Sequence, residues 1–247
     1  MNISIPWVFV SGGSRGIGKG IVKMLATQNY HVVFTYKSST SEAQILCQEI
    51  KQQGYSCEGH QCNVSNAEEV SVLSAKLISQ YGPPYAIINN AGITQDALLI
   101  NMTEEEWHNV ISTNLSSVYL VNHAFLPEML TAGDGCIIHM SSVTAFKANS
   151  GQVNYAATKA AMIGITRSLA VEVGRFNIRV NTIAPGLIDT EMLDHIPSPH
   201  KKKLLSNIPL GRLGAVEDIA LTINFLLSPG GCYITGQTFV IDGGMTA

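Results

Sequence analysis

Trp7-Val8-Phe9-Val10 runs directly into Ser11-Gly12-Gly13-Ser14-Arg15-Gly16-Ile17-Gly18, and that into Lys19-Gly20-Ile21-Val22-Lys23-Met24-Leu25. An apolar run, a glycine-rich turn and an amphipathic stretch in direct succession predict strand, turn and helix, the setting in which a pyrophosphate can be held. Glycine permits the tight turn and lets a phosphate approach a backbone that carries no Cβ. The helix start behind it offers free N–H groups and the positive end of the helix dipole. The glycines fall at Gly12, Gly16 and Gly18, a Gly-x-x-x-Gly-x-Gly spacing, with Ser14, Arg15 and Ile17 between them as further contacts.

Working outward, strand-like and helix-like stretches alternate to the end of the chain. Strands are expected at 31–36, 56–62, 85–88, 136–141, 177–183 and 238–241, and helices at 16–28, 41–53, 66–81, 104–132, 153–174 and 216–228. The long fifth stretch is expected to break near Asn114. Runs such as Ala86-Ile87-Ile88 and Cys136-Ile137-Ile138 are apolar without alternation, as strands covered on both faces are. The expected fold is α/β: a single Rossmann-type domain over 1–247, with a doubly wound parallel sheet of about seven strands and helices on both faces. Residues 1–92 form mainly the dinucleotide half and 93–247 the catalytic and substrate half. One segment departs from the alternation. Residues 187–209 hold Pro197, Pro199, Pro209 and Lys201-Lys202-Lys203, and are expected to form a lid over the cleft.

The composition bounds the function. With 46% hydrophobic and 13% charged residues the chain has ample material for a packed core, which excludes disorder. A net charge of −3 gives no footing for nucleic acid. No apolar run approaches the roughly 20 residues that span a bilayer, and no secretory signal pattern opens the chain, so a cytoplasmic protein off the membrane is expected. The five cysteines are odd in number and lack Cys-x-x-Cys spacing; they read as reduced thiols, with no metal site.

Two constellations carry chemistry. Where a free ribose 2′-OH would meet an acid about 20 residues beyond the glycines, the chain has Tyr36-Lys37-Ser38-Ser39. Arg15 and Lys37 supply positive charge there instead, which suits a 2′-phosphate and so NADPH/NADP⁺ rather than NADH. Farther on, Tyr155 and Lys159 are four apart, on one face of a helix, thirteen residues beyond Ser142. An ammonium beside the phenol is expected to lower its pKa and allow proton exchange near neutral pH.

With these residues in hand, the chain resembles the short-chain dehydrogenase/reductase family from Val8 to Gly244. Five motifs in order carry the resemblance: the glycine turn, Asn89-Asn90-Ala91-Gly92, Asn114, Ser142 with Tyr155 and Lys159, and Pro185-Gly186. Within the family it looks most like bacterial 3-oxoacyl-[acyl-carrier-protein] reductases. That likeness rests on Ile93-Thr94-Gln95-Asp96, Gly151-Gln152-Val153-Asn154-Tyr155, Ile208-Pro209-Leu210-Gly211-Arg212 and Tyr233-Ile234-Thr235-Gly236. It implies NADPH-dependent reduction of a 3-oxoacyl thioester on acyl carrier protein, in fatty acid or polyketide/polyene-type synthesis, by a homotetramer or a hetero-oligomer.

The resemblance also implies residue roles. Tyr155 gives a proton to the carbonyl oxygen, Ser142 bonds that oxygen, Lys159 tunes the phenol and grips the nicotinamide ribose, and Asn114 holds a proton-relay water. Asn63 and Val64 flank the adenine. Asn90, Ala91 and Gly92 line the ribose, Pro185, Gly186, Ile188 and Thr190 the nicotinamide, and Gln152 the substrate. Family members present basic residues to the carrier where this chain has Gly133 and Phe176, with only Arg175 adjacent. A dehydrogenase of another secondary alcohol (sugar, polyol or steroid), an acetoacetyl-CoA reductase and a non-catalytic nucleotide-binding subunit remain as alternatives.

Overall fold

The computed structural model describes residues 5–191 and 205–247. The first half contains β1 (Trp7–Val10), α1 (Gly16–Thr27), β2 (His31–Tyr36), α2 (Thr40–Gln52), β3 (Cys57–Gln61), α3 (Ala67–Tyr81) and β4 (Ala86–Asn89). Then come α4 (Glu104–Ile111), α5 (Ser117–Ala132), β5 (Gly135–Met140), α6 (Val153–Val173), β6 (Ile178–Pro185), α7 (Val216–Leu227) and β7 (Thr238–Ile241). All seven strands are parallel, in the order β3-β2-β1-β4-β5-β6-β7. The α/β alternation read from the sequence is the architecture observed. Of the expected lid, residues 192–204, with Pro197, Pro199 and Lys201-Lys202-Lys203, lie outside the described residues.

Alternation along β1 explains the two layers of core. Val8 and Val10 face a cluster that includes Ile21 and Leu25 of α1, Leu46 of α2 and Ile223 of α7. Trp7 and Phe9 face the opposite cluster, with Leu77 of α3, Phe125 and Met129 of α5 and Val173 of α6. The rings of Phe9 and Phe125 meet at 4.9 Å between centres, a contact worth about 0.5–1.5 kcal/mol beyond the area it buries. A strand with no polar face must be covered twice, and so the helices divide between the two sides.

The expected break near Asn114 takes a definite form. α4 begins at a capping box, in which Thr103 Oγ1 accepts from the Glu106 N–H and the Glu106 carboxylate accepts from the Thr103 N–H. It passes without a loop into α5 through a π turn at Ser112–Ser116. The two sheet edges differ. β3 carries Glu58 and His60, whose side chains meet at 3.2 Å, whereas β7 reads Thr-Phe-Val-Ile with Val240 exposed. Charge on an edge strand discourages pairing, and an apolar edge invites it.

Candidate active site

The turns after the carboxyl ends of β1 to β6 carry the glycine turn, Lys37, Asn63, Asn90-Ala91-Gly92, Ser142 and Gly186 to Thr190, while Asn114 comes from the π turn before α5 and Gln152, Tyr155 and Lys159 from α6 and its start. Gly12 has φ +67, a conformation that L side chains rarely adopt, and an added Cβ would meet the Ala91 backbone at 3.0 Å. Gly18 is as tightly placed: a Cβ there would fall on the Gly12 carbonyl oxygen and 2.6 Å from Asn90 Nδ2. The turn is braced from β4, because Asn90 Nδ2 donates to the carbonyls of Ser11 at 3.0 Å and Gly12 at 2.9 Å. Ser11 Oγ accepts from the N–H groups of Asn90 and Ala91, each at 3.0 Å. From β2, Thr35 accepts the Gly13 N–H at 2.9 Å.

Behind this brace α1 starts at Gly16 with no side-chain cap and no acid in its first turn. Its leading N–H groups and dipole are therefore left for an anion. A backbone cradle that any Cβ would fill and an uncapped helix start together fit the pyrophosphate of a nicotinamide dinucleotide. Arg15, within the turn, and Lys37, just after β2, are both exposed and without an ion pair among the described residues. Thr190 faces the turn from the loop after β6, its Cγ2 3.9 Å from where a Gly16 Cβ would lie.

Some cofactor-side expectations are refined. Val64 and Ile188 are buried in the two core clusters, so only their backbones can line a crevice. Ile188 bridges to Gly214, which ties the loop after β6 to the start of α7. Asn63 Oδ1 accepts from Ser65 Oγ at 2.8 Å at the end of β3. Gly186 leaves no room for a side chain, since a Cβ would reach Asp242 Cα at 2.7 Å.

The second constellation forms where α6 crosses the end of β5. Lys159 is buried, and its Nζ donates to the Met140 carbonyl at 2.8 Å, 5.5 Å from the centre of the Tyr155 ring. Ser141 Oγ donates to the Lys159 carbonyl at 2.7 Å, so the strand end holds this residue at both its ends. Ser142 Oγ reaches Thr144 Oγ1 at 3.2 Å and is a hydrogen-bond partner of the Tyr155 hydroxyl. A Cβ on Gly92 would come within 3.5 Å of Lys159 Nζ and 3.4 Å of Asn114 Oδ1, which puts the Asn89-Asn90-Ala91-Gly92 turn against the same group.

Asn114 is buried on the π turn. Its Oδ1 accepts from the Ile93 N–H at 2.8 Å, and its Nδ2 donates to the Ile93 carbonyl at 2.9 Å and to Thr158 Oγ1 at 3.3 Å. It thus pins the loop after β4 to α6. Gln152 Nε2 donates to Asp96 at 2.7 Å, while its Oε1 accepts from Asn149 at 3.0 Å.

The electrostatics correct one expectation. Tyr155 has its pKa raised rather than lowered: burial dominates, the Ser142 hydrogen bond opposes it, and the Asp96 charge adds to it. Burial also lowers Lys159, to about 8. The physical reason is burial, which penalises the charged phenolate; the ammonium that sequence spacing assigned to the phenol donates to the Met140 carbonyl. The phenol is thereby kept as the acid, ready to donate. Sequence reading missed Ser11, Met140, Ser141 and Asp96, which contribute a carbonyl, hydroxyls or a charge, because nothing in their spacing marks them.

A family model described as Enoyl-(Acyl carrier protein) reductase matches residues 12–246. The chain is 44% identical over 236 residues to the 3-oxoacyl-[acyl-carrier-protein] reductase FabG of Staphylococcus aureus, with 96% of each chain covered. It is 43% identical over 245 residues to the protein of that name from Pseudomonas aeruginosa, with 99% of each covered. Among solved structures, a mutant short-chain dehydrogenase/reductase of Serratia marcescens superposes with a TM-score of 0.93 at 31% identity, over 98% of both chains.

Proposed function

The chain belongs to the short-chain dehydrogenase/reductase family, and on that premise we propose that it reduces a 3-oxoacyl thioester to the 3-hydroxyacyl thioester with NADPH. The observation that carries this reading is the meeting of Ser142, Tyr155 and Lys159 at the end of β5, joined to the braced glycine turn through Asn90-Ala91-Gly92. The full-length relatives named 3-oxoacyl-[acyl-carrier-protein] reductases support the substrate class.

Gly12, Ser14, Arg15, Gly16, Ile17 and Gly18 would hold the pyrophosphate end of the cofactor, with Asn63 and Val64 toward the adenine. Asn90, Ala91, Gly92, Pro185, Gly186, Ile188 and Thr190 would line the nicotinamide end. A reduced nicotinamide held by these residues would supply the hydride that the ketone carbon needs. Tyr155 gives its proton to the ketone oxygen as negative charge gathers on it, and Ser142 holds both that oxygen and the phenol in line. Lys159 stabilises the phenolate left behind, and Asn114 orders the path by which a proton returns. Gln152, fixed by Asp96 and Asn149, walls the acyl side. Arg15 and Lys37 give the site its preference for a 2′-phosphate.

The acyl group arrives on an acyl carrier protein, for fatty acid or polyketide/polyene-type synthesis, and the protein works in the cytoplasm. Among the described residues no helix is long and apolar enough to cross a membrane. Copies would associate as a homotetramer, or with a related subunit as a hetero-oligomer, and the exposed Val240 on the edge strand β7 offers an apolar contact for this.

The deciding measurement is NADPH oxidation with acetoacetyl thioesters on carrier protein and on coenzyme A, beside a simple monoketone and a sugar. Turnover on the carrier-bound thioester, faster with NADPH than with NADH, is expected. Activity confined to the sugar, or to NADH, overturns the reading.

A further inference from the structure

A line of five buried polar side chains crosses the face of the sheet beneath α5 and α6. Asn89 Nδ2, at the end of β4, donates to Asn122 Oδ1 on α5 at 2.8 Å. Asn122 Nδ2 lies 3.0 Å from His139 Nε2 on β5, and His139 Nδ1 lies 2.7 Å from Thr166 Oγ1 on α6. Thr166 Oγ1 meets Thr182 Oγ1 of β6 at 2.6 Å, and Thr182 Oγ1 reaches the Met162 carbonyl at 3.5 Å. His139, Thr166 and Thr182 are wholly buried.

The chemistry of these groups fixes the direction of the line. An amide nitrogen can only donate, so His139 Nε2 must hold a lone pair and the ring proton must sit on Nδ1. Nδ1–H then donates to Thr166, Thr166 to Thr182, and Thr182 to the Met162 carbonyl. Each hydroxyl and the ring N–H then has an acceptor, and the imidazole is neutral. A core that buries five polar side chains where apolar ones would pack gains no hydrophobic stabilisation from them, and such networks instead specify geometry.

The geometry specified is that of α6. Tyr155, Lys159, Met162 and Thr166 recur at helical spacing and form one stripe on its inner face. The residue after His139 on β5 is Met140, whose carbonyl holds Lys159 Nζ. Two neighbouring residues of one strand therefore grip one helix at two points, seven residues apart along it. One grip leaves a helix free to roll about it, and two fix both roll and axial position. At the far end of the line Asn89 precedes Asn90, the residue that braces the glycine turn.

We propose that His139, through Thr166, is a positioning residue that sets the register of Tyr155 and Lys159 against the nicotinamide side of the crevice. The proposal rests on the reductase reading above.

Three variants dissect it. His139→Asn puts an amide at the position of Nδ1 and keeps a donor to Thr166 while it gives up Asn122. His139→Gln reaches the position of Nε2 and keeps an acceptor for Asn122 while it gives up Thr166. Thr166→Val removes the far partner at constant shape. The expected result is that His139→Gln and Thr166→Val each lower kcat about tenfold with KM for NADPH within about twofold, as a small misplacement of reacting groups does, while His139→Asn restores kcat to near the parent value. The Tyr155 phenol, titrated by ultraviolet difference against Tyr155→Phe, should shift in His139→Gln and Thr166→Val and stay in His139→Asn. Equal kcat in all three with only a lower Tm, or loss in His139→Asn as deep as in His139→Gln, overturns the proposal. Should the parent protein turn over no 3-oxoacyl thioester, the reductase reading fails, and the phenol titration still decides the role of His139.

Discussion

Lys159 Nζ donates to the carbonyl oxygen of Met140 at 2.8 Å, so the cation of the site belongs first to the strand and only second to the phenol beside it. Burial holds its pKa at about 8, below its ordinary value. A charged lysine is therefore a burden on the fold below pH 8, and that burden fades as pH rises from about 8 toward the unfolded value of about 10.5. The depression corresponds to on the order of 3 kcal/mol, against which the unpartnered Met140 carbonyl left by an apolar replacement costs about 1–3 kcal/mol. Lys159→Met should thus abolish turnover yet match or exceed the parent in stability at pH 7, by about 1 kcal/mol. In urea titrations from pH 7 to 10 the advantage should shrink and then reverse. An advantage that grows with pH would contradict the assignment.

Tyr155 is held protonated by burial, which suits a proton donor in the reductive direction. Tyr155→Phe should lower kcat by about 10²–10⁴, the usual worth of general acid assistance, and leave the Kd for NADPH within about twofold. In the parent, oxidation of the 3-hydroxy product should rise with pH as the phenol ionises. Steady-state rates in both directions, with cofactor fluorescence for binding, test the pair of statements. An active phenylalanine variant would remove Tyr155 from the reaction.

His139 is kept neutral by burial, with its pKa lowered to about 4. The unfolded chain takes up a proton near pH 6.5 and the folded chain does not, so stability is whole above about pH 6.5 and declines as pH falls toward 4. The decline attributable to this group is on the order of 3 kcal/mol. Between pH 6.5 and 4, His139→Asn should lose stability less steeply than the parent in matched urea titrations. Parallel curves would mean that the ring is protonated within the fold.

Arg15 and Lys37 are exposed and without ion pairs among the described residues, and the proposed 2′-phosphate preference rests on them. Replacing both with glutamine should raise KM for NADPH about tenfold or more, since each charge-assisted bond is worth about 1.5–3 kcal/mol, and leave KM for NADH near its parent value. Equal changes in both constants would discredit the two residues as readers of the phosphate.

Much of this was legible from spacing alone. Strand and helix alternation, the glycine turn and the Tyr155–Lys159 stripe all depend on neighbours close in sequence, where periodicity carries the information. The break at Asn114 was visible as a position, but its form was not, because a π turn differs from an α turn by one residue in the span of its hydrogen bonds and leaves no residue signature. His139, Asn122 and Thr166 read as unrelated polar residues on three different elements. Only the packing of α5 and α6 across the sheet joins them. Cys47 and Cys57 are a similar case: the sulfurs lie 3.7 Å apart across α2 and β3, though their spacing suggested no partnership. The direction of the Tyr155 shift was misjudged for the same reason. Sequence spacing brings Lys159 near the ring, but how deeply other elements bury the phenol is set by packing, and burial is the larger effect.

The wide turn at Ser112–Ser116 also bears on how this stretch tolerates changes of length. Each residue of an α-helix advances about 100° around the axis, and the π turn already holds one residue more than an α turn, so inserting a further one between Thr103 and Ser117 would swing every later α5 side chain by that angle. Val121, Phe125 and Met129 would leave their layer together, and Asn114 would lose its hold on Ile93. Substitutions across this interval can drift while its length is held, and alignments should find it free of gaps even where its letters vary.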